Sequence, residues 1–300
     1  MTQSVRDLAF HTIQDILNNN AYSNLKINEV INQYNIATVD KALFTELVYG
    51  TIKRKMTLDF YLKPFVKTRI KSWVRQLLWM SLYQYVFLDK IPNHAIINEA
   101  VNIAKRRGGQ HNGNIVNAIL SHIFKSDLPR LDTIKNEKQR MAIEYSIPRW
   151  IIEHWITHYG IETTHNIAKS FLVQSASTVR VNTSRTDVET ISKALLQEGY
   201  HVDIDQLIPY CLHLTGKPVI ESRFFKDGLI SIQDKSSMLV GDLMKVQKGD
   251  NILDACSAPG GKACHMAELL ASTGHVDATD IHMHKIGLIK ENIKKLKFQK

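Results

Sequence analysis

The sequence predicts a multi-domain protein: an all-α bundle, then a small α+β domain, then the first part of a doubly wound α/β domain. Three observations predict this. Apolar residues keep a helical period from Thr2 to about Phe124. Short alternating segments follow between Ser177 and Ile232. Finally NILDACSAPGGKACHMAELL, Asn251 to Leu270, sets a Pro-Gly-Gly turn between an apolar strand and an amphipathic helix.

Taken in order, Val5, Leu8, Ala9, Thr12, Ile13, Ile16 and Leu17 share one face of a first helix. Breaks at Asn18 to Asn20, Gly50, Pro64, Pro92 and Gly108-Gly109 divide the region into about half a dozen helices, with Pro92 suited to opening one. This gives a helical domain over 1-127. The charged, weakly periodic stretch from Leu128 to Glu144 reads as a connection, so 128-147 is a linker. Helices around Trp150 to Tyr159 and Thr164 to Gln174, a strand Ser177 to Val181, a helix Val188 to Gln197 and β-rich pieces up to Ile232 build the α+β domain, 148-228. The last part, 229-300, runs helix KSSMLVGDLM, strand, glycine turn, helix, strand His275 to Asp280 and a basic helix with Lys285, Lys290, Lys294, Lys295 and Lys297. Doubly wound sheets usually have about five or more strands, so these two predict an unfinished sheet with a bare edge.

The 300 residues carry a net charge of +9, and a pI near 9.3 suits either a nucleic-acid partner or a merely solvated basic surface. No apolar run reaches the roughly 18 residues of a membrane span, and MTQSVRDLAF has no signal-peptide pattern, so a cytoplasmic protein without a membrane partner is expected. Three cysteines without a CxxC pair indicate neither a disulfide framework nor a zinc site. The thirteen histidines form no HExxH, and no metal is expected.

The Pro-Gly-Gly turn is the informative motif. A P-loop would need glycine at Cys256 and Ser or Thr at Ala263, and GxGxxG needs spaced glycines; both readings fail. Asp280 lies 20 residues after Gly260, where nucleotide-binding α/β folds place a carboxylate for ribose hydroxyls. A loop without a cluster of phosphate-binding groups suits an adenosyl cofactor lacking a pyrophosphate, S-adenosyl-L-methionine. A nucleotide cofactor and a purely structural turn remain open.

DACSAPGGK resembles the first cofactor motif, DxxAxPGGK, of the RNA cytosine carbon-5 methyltransferases. LISIQDKSSML, Leu229 to Leu239, is similar to the segment entering that domain, and STVRVNTS, Ser177 to Ser184, to the RxN segment before it. DKALFTELVYGTIKR and IPNHAIINEAVNIAKRRG resemble the NusB-like helical domain of the RsmB (Sun) branch. After NIVNAIL, where that branch usually has arginine, Ser121 and His122 stand here.

The resemblance implies a NusB-like RNA-binding domain joined to an incomplete Rossmann-like methyltransferase domain. It also implies S-adenosyl-L-methionine as cofactor and 16S ribosomal RNA, methylated at a cytosine carbon-5, as substrate. Cys256, Ser257, Ala258, Pro259, Gly260, Gly261, Lys262 and Asp280 are the implied cofactor residues, and Asp254 either contacts the cofactor or holds the loop. Arg180, Asn182, Lys105, Arg106 and Arg107 are candidates for RNA contact. The catalytic cysteine is expected beyond Lys300, so the chain reads as an N-terminal fragment without turnover of its own. Cys256 is expected to pack along the cofactor, and Cys211 and Cys264 to be small apolar side chains. Two rivals stand beside this: an RNA-binding, antitermination-type module with a vestigial C-terminal half, and a nucleotide-dependent oxidoreductase.

Overall fold

The computed structural model describes residues 4–19, 22–173 and 176–296; Thr2, Asn20, Gln174, Lys297 and Lys300, named above, lie outside them. The chain divides into two compact units, Met1–Val173 and Gln174–Lys300.

The N-terminal unit opens with α1 (Val5–Asn19), α2 (Ser23–Gln33), α3 (Thr38–Lys53), α4 (Lys55–Leu62), α5 (Ser72–Phe87) and α6 (Asn93–Ile123). The stripe on α1 does what its spacing predicts: Leu8, Ala9, Thr12 and Ile13 are buried. They meet Phe44 and Leu47 of α3, Leu58 and Leu62 of α4, and Leu77, Leu78 and Leu82 of α5 in one apolar core. Pro92 immediately precedes α6, and Gly109, at φ 78°, bends that helix in its middle. Gly50 is a correction, because it ends no helix and lies inside α3. A Cβ there would lie 2.0 Å from the Tyr83 ring, so this glycine lets α3 and α5 approach closely.

The supposed linker 128-147 is a second correction. It contains α7 (Glu137–Tyr145), begun by Asn136, whose side chain accepts the Gln139 N–H at 2.9 Å. Met141 and Ala142 are buried against Ile152 of α8 (Arg149–Ser170), a helix broken at Gly160 (φ 76°). Thr57 of α4 donates its hydroxyl to the Ile143 carbonyl at 2.6 Å, docking α7 onto the bundle. Packing therefore places 128-147 and α8 in the N-terminal unit, although the charge pattern of 128-144 resembles a solvated connection.

The C-terminal unit begins with a four-stranded antiparallel sheet in the order β2-β3-β1-β4. It comprises β1 (Ser177–Val181), α9 (Val188–Gln197), β2 (His201–Ile204), β3 (Cys211–Thr215), α10 (Arg223–Lys226) and β4 (Ile230–Ile232). Val179, Val181, Leu212 and Leu214 pack against Ile191 and Leu195 of α9. Beyond it come α11 (Lys235–Met244), β5 (Asn251–Asp254), α12 (Gly261–Leu270), β6 (His275–Ala278) and α13 (Met283–Leu296). β5 and β6 are parallel, with Ile252 opposite Val276. Ile252 packs on Met266 and Leu270 of α12, while Leu253, pointing the other way, is 66% exposed. Both strands stop earlier than the sequence suggests, which leaves Ala255 and Asp280 in the loops at their C-terminal ends. No helix among the described residues is long and apolar enough to cross a membrane.

Candidate functional site

The loop between β5 and α12 is built by backbone bonds to the loop after β6. Thr279 donates its N–H to the Asp254 carbonyl (2.9 Å), and Ser257 donates to the Thr279 carbonyl (2.8 Å). Gly260 adopts φ 101°, a left-handed conformation that suits glycine, and α12 starts at Gly261 without a side-chain cap. The first N–H groups of that helix therefore point at the loop with no cap to satisfy them. The Asn292 amide of α13 donates to the Pro259 carbonyl at 2.7 Å, holding the far side of the turn.

Asp280 crosses the mouth of this turn. Its carboxylate accepts the Ala258 N–H at 3.3 Å through one oxygen and the His282 N–H at 2.9 Å through the other. These N–H groups, His282 foremost, hold its carboxyl below the ordinary value. Asp280 is thus an ionised acceptor with spare lone pairs, tied to the β5–α12 loop.

Three features of the loop fit an adenosyl cofactor. The Asp254 Oδ2 and Ser257 Oγ atoms are buried without hydrogen-bond partners among the described residues. A Cβ added at Gly261 would meet nothing within 4 Å, so open space adjoins the helix start. Lys262 is half-buried beside it and Cys256 is exposed. Unsatisfied polar atoms, uncapped N–H groups and an ionised carboxylate around one opening are the groups that hold ribose hydroxyls and an amino-acid end.

The RNA candidates separate into two groups. Arg180 and Asn182, read as a possible contact face, are each only 1% exposed, so both calls are corrected: Arg180 lies on the central strand β1 with its guanidinium buried, and Asn182, just past that strand, is buried with its amide oxygen accepting the Ser184 N–H at 3.2 Å. Lys105, Arg106 and Arg107 lie on the first half of α6. Arg106 pairs with Asp7 at 2.9 Å, and Arg107 lies over the Phe10 and Trp73 rings. Lys105 is exposed and lines a hollow of about 380 Å³ together with Asn98, Val101, Asn102, Asn114 and Asn117.

Burial pushes the Cys211 and Cys264 thiols up to about 11, so neither is a thiolate at neutral pH. Cys211 lies near Asp205 and His213 with the spacing of a small metal cluster. The Lys235 ammonium sits 2.7 Å from Asp205 Oδ2, and His213 Nε2 2.9 Å from the same oxygen. The Asp205 carboxylate is thus already engaged by an ammonium and an imidazole, an ion-paired brace.

Sequence reasoning missed Glu268, Gln233 and His265. All three are buried polar residues around α12; Glu268 and Gln233 meet Arg180, 88 and 53 residues away, and His265 Nδ1 has no hydrogen-bond partner among the described residues. Their only sequence signal was polarity on the apolar side of a helix or at a strand end, which is easily read as solvent-facing.

Comparison with known families assigns these parts. A model described as the NusB family matches residues 3–125. One described as the Methyltr_RsmF/B-like ferredoxin-like domain matches 147–221, and one described as 16S rRNA methyltransferase RsmB/F matches 242–300. The chain thus carries, in order, matches to a NusB domain and to RsmB/F methyltransferase domains. The ferredoxin-like match includes α8, which by packing lies in the N-terminal unit.

Among relatives, the chain is 40% identical to the probable ribosomal RNA small subunit methyltransferase B of Bacillus subtilis (strain 168), over 96% of this chain and 65% of that protein. It is 28% identical to the protein of the same name from Synechocystis sp., over 93% of this chain and 64% of that one. The chain thus spans 65% and 64% of the lengths of these two relatives. In fold it resembles the crystal structure of PH0851 (TM-score 0.78, 22% identity, all of this chain and 68% of that one). It also resembles a methyltransferase homologue from Pyrococcus horikoshii (TM-score 0.50, 23% identity, 55% of each chain).

Proposed function

We propose that the β5–α12 loop holds S-adenosyl-L-methionine for methylation of a cytosine carbon-5 in 16S ribosomal RNA. The observation that carries this reading is Asp280, ionised and hydrogen-bonded to Ala258 across a loop whose Asp254 Oδ2 and Ser257 Oγ atoms are buried and unpartnered among the described residues. In this reading Asp280 accepts the ribose hydroxyls, and the Gly261 and Lys262 N–H groups meet the polar end of the cofactor. Cys256 to Pro259 pack along its length, and Asp254 is a second polar contact. When bound, the cofactor supplies an electrophilic methyl group.

Cytosine carbon-5 becomes nucleophilic only after a thiolate adds at carbon-6, and the base must first be unstacked. Cys211 and Cys264, protonated at neutral pH, do not meet that need. This reading keeps Cys256 along the cofactor and assigns the nucleophile to none of the three cysteines. Lys105, exposed on α6, together with the outer parts of Arg106 and Arg107, is the proposed phosphate contact of the NusB domain. The cytoplasm is the matching compartment for a protein that acts on ribosomal RNA.

Calorimetric titration with S-adenosyl-L-methionine tests the cofactor reading. The chain is expected to bind, and Asp280→Ala to weaken binding by about tenfold or more, the scale of losing hydrogen bonds to a charged group. Absence of binding by the unaltered chain would overturn it. The substrate reading is tested with the protein, labelled cofactor and unmodified small-subunit rRNA; label at any position other than a cytosine carbon-5 would overturn that part.

A further inference from the structure

We infer that Arg180 is a positioning residue for the cofactor loop: mounted on the antiparallel sheet, it grips α12 at Gly261 and Glu268 and so sets where the loop's N–H groups point. The inference rests on the cofactor reading above.

Arg180 is mounted rigidly. Its backbone pairs with Cys211 of β3 on one side and Ser231 of β4 on the other, so two ladders hold it. Its guanidinium is then buried, which is tolerated only if its N–H groups find acceptors. Nε donates to Glu268 Oε2 at 3.1 Å and Nη2 to Glu268 Oε1 at 2.5 Å, a two-pronged charged pair. Nη1 donates to the Gln233 side-chain oxygen and, at 3.2 Å, to the Gly261 carbonyl.

Gly261 and Glu268 are seven residues apart on α12, two helical turns along one face. Holding both ends of that stretch constrains the sliding of the helix and its rotation. Gly261 is also the residue beside the open space where the loop meets the helix. A shift of α12 along its axis would move the uncapped N–H groups away from the loop.

Stability alone is a poor account of this arrangement. A buried ion pair is commonly no more stabilising than apolar side chains of similar volume, so an apolar pair could replace its packing. An apolar pair cannot replace the bond to the Gly261 carbonyl. Displacements of about 1 Å at a binding site are costly, and supporting residues usually prevent them.

The test separates packing from positioning. Arg180→Met is compared with the double variant Arg180→Met/Glu268→Leu and with Arg180→Lys, which keeps the charge but loses the fork. Each is measured by thermal unfolding, by calorimetric titration with S-adenosyl-L-methionine, and by hydrogen exchange of the amides from Ala258 to Cys264. The double variant should recover much of the thermal stability that Arg180→Met loses. Its cofactor affinity should stay about tenfold or more below that of the unaltered chain, with faster exchange in the loop. Recovery of affinity and protection together with stability would overturn the positioning role.

Arg180→Lys should fall between the unaltered chain and Arg180→Met in both affinity and exchange, and it carries the test if the other variants fail to fold. Full affinity and protection in Arg180→Lys would likewise overturn the inference. If the unaltered chain binds no cofactor, the cofactor reading fails. The exchange measurement then decides the brace by itself, and equal loop protection in the unaltered and double-variant chains overturns it.

Discussion

The two units of this chain hold themselves together by different means. In the N-terminal unit the interior is apolar with uncharged polar groups among it: Phe10, Ile13, Phe44, Leu47, Leu58, Leu77 and Leu78 are wholly buried, buried Gln14 donates to Gln76 at 3.2 Å, and the buried carboxylate Asp7 pairs with an Arg106 side chain that is 51% exposed. In the C-terminal unit Arg180, Glu268 and His265 all lie in the interior around α12. The N-terminal arrangement draws on burial of apolar area, which is non-directional and indifferent to pH. The C-terminal one draws on directional bonds between titratable groups. Those bonds grip α12, and the buried imidazole of His265 makes the unit answer to pH.

The largest effect expected is in the apolar unit. Phe44→Ala should destabilise it by about 3–5 kcal/mol, through lost burial and the cavity left behind. Denaturant unfolding at pH 7 and pH 5 should show the same loss at both; a loss that changes with pH would blur the contrast between the units.

The next concerns His265. Burial, with Arg180 adding to it, pushes its imidazole down to about 3. An unfolded histidine takes up its proton near pH 6.5, at about the reference value. Between those values the unfolded state holds more protons, so the contribution is full above about pH 6.5 and lost as pH falls. The C-terminal unit should lose about 1.4 kcal/mol per pH unit across that window, with His265→Leu flattening the slope. Lys235 and His213 hold the Asp205 carboxyl well below its usual range, which adds a loss in the same direction below about pH 4. Burial pushes the Glu268 carboxyl up, an opposing contribution that fades as pH rises, so the His265→Leu comparison isolates the imidazole. An unchanged slope in that variant would remove the pH half of the comparison.

Gly50→Ala tests close packing in the N-terminal unit. The new methyl would collide with the Tyr83 ring, and overpacking of this kind typically costs about 1–3 kcal/mol. Thermal unfolding should show it; a neutral result would mean that α3 and α5 separate at no cost. The smallest effect belongs to Asn136→Ala, which removes the cap of α7 and should cost about 1 kcal/mol. No change at all would return 128-147 to the status of a loose connection.

Much of the fold was legible in the sequence because its signals are local. The α1 stripe, the β1 strand and α9 come from periodicity over a few residues, and the β5–α12 turn from Pro-Gly-Gly at a strand end. The region of α7 was not legible, because its charges mask a helix whose buried side is only Met141, Ala142 and Tyr145. Gly50 looked like a helix end because glycine usually is one; its reason is a ring 33 residues away. Of the candidate site, the loop and Asp280 could be read from motif and spacing, and Arg180 was read as facing outward because a charged residue on a strand usually does.

The sequence by itself determined the order of the parts, the position of the loop and the carboxylate that follows it, since each depends on residue types within one or two adjacent elements. Only the tertiary structure decided where Arg180 points. A guanidinium can be buried only where acceptors converge on it, and those acceptors, Gln233, Gly261 and Glu268, come together from 53, 81 and 88 residues away when the sheet packs on α12.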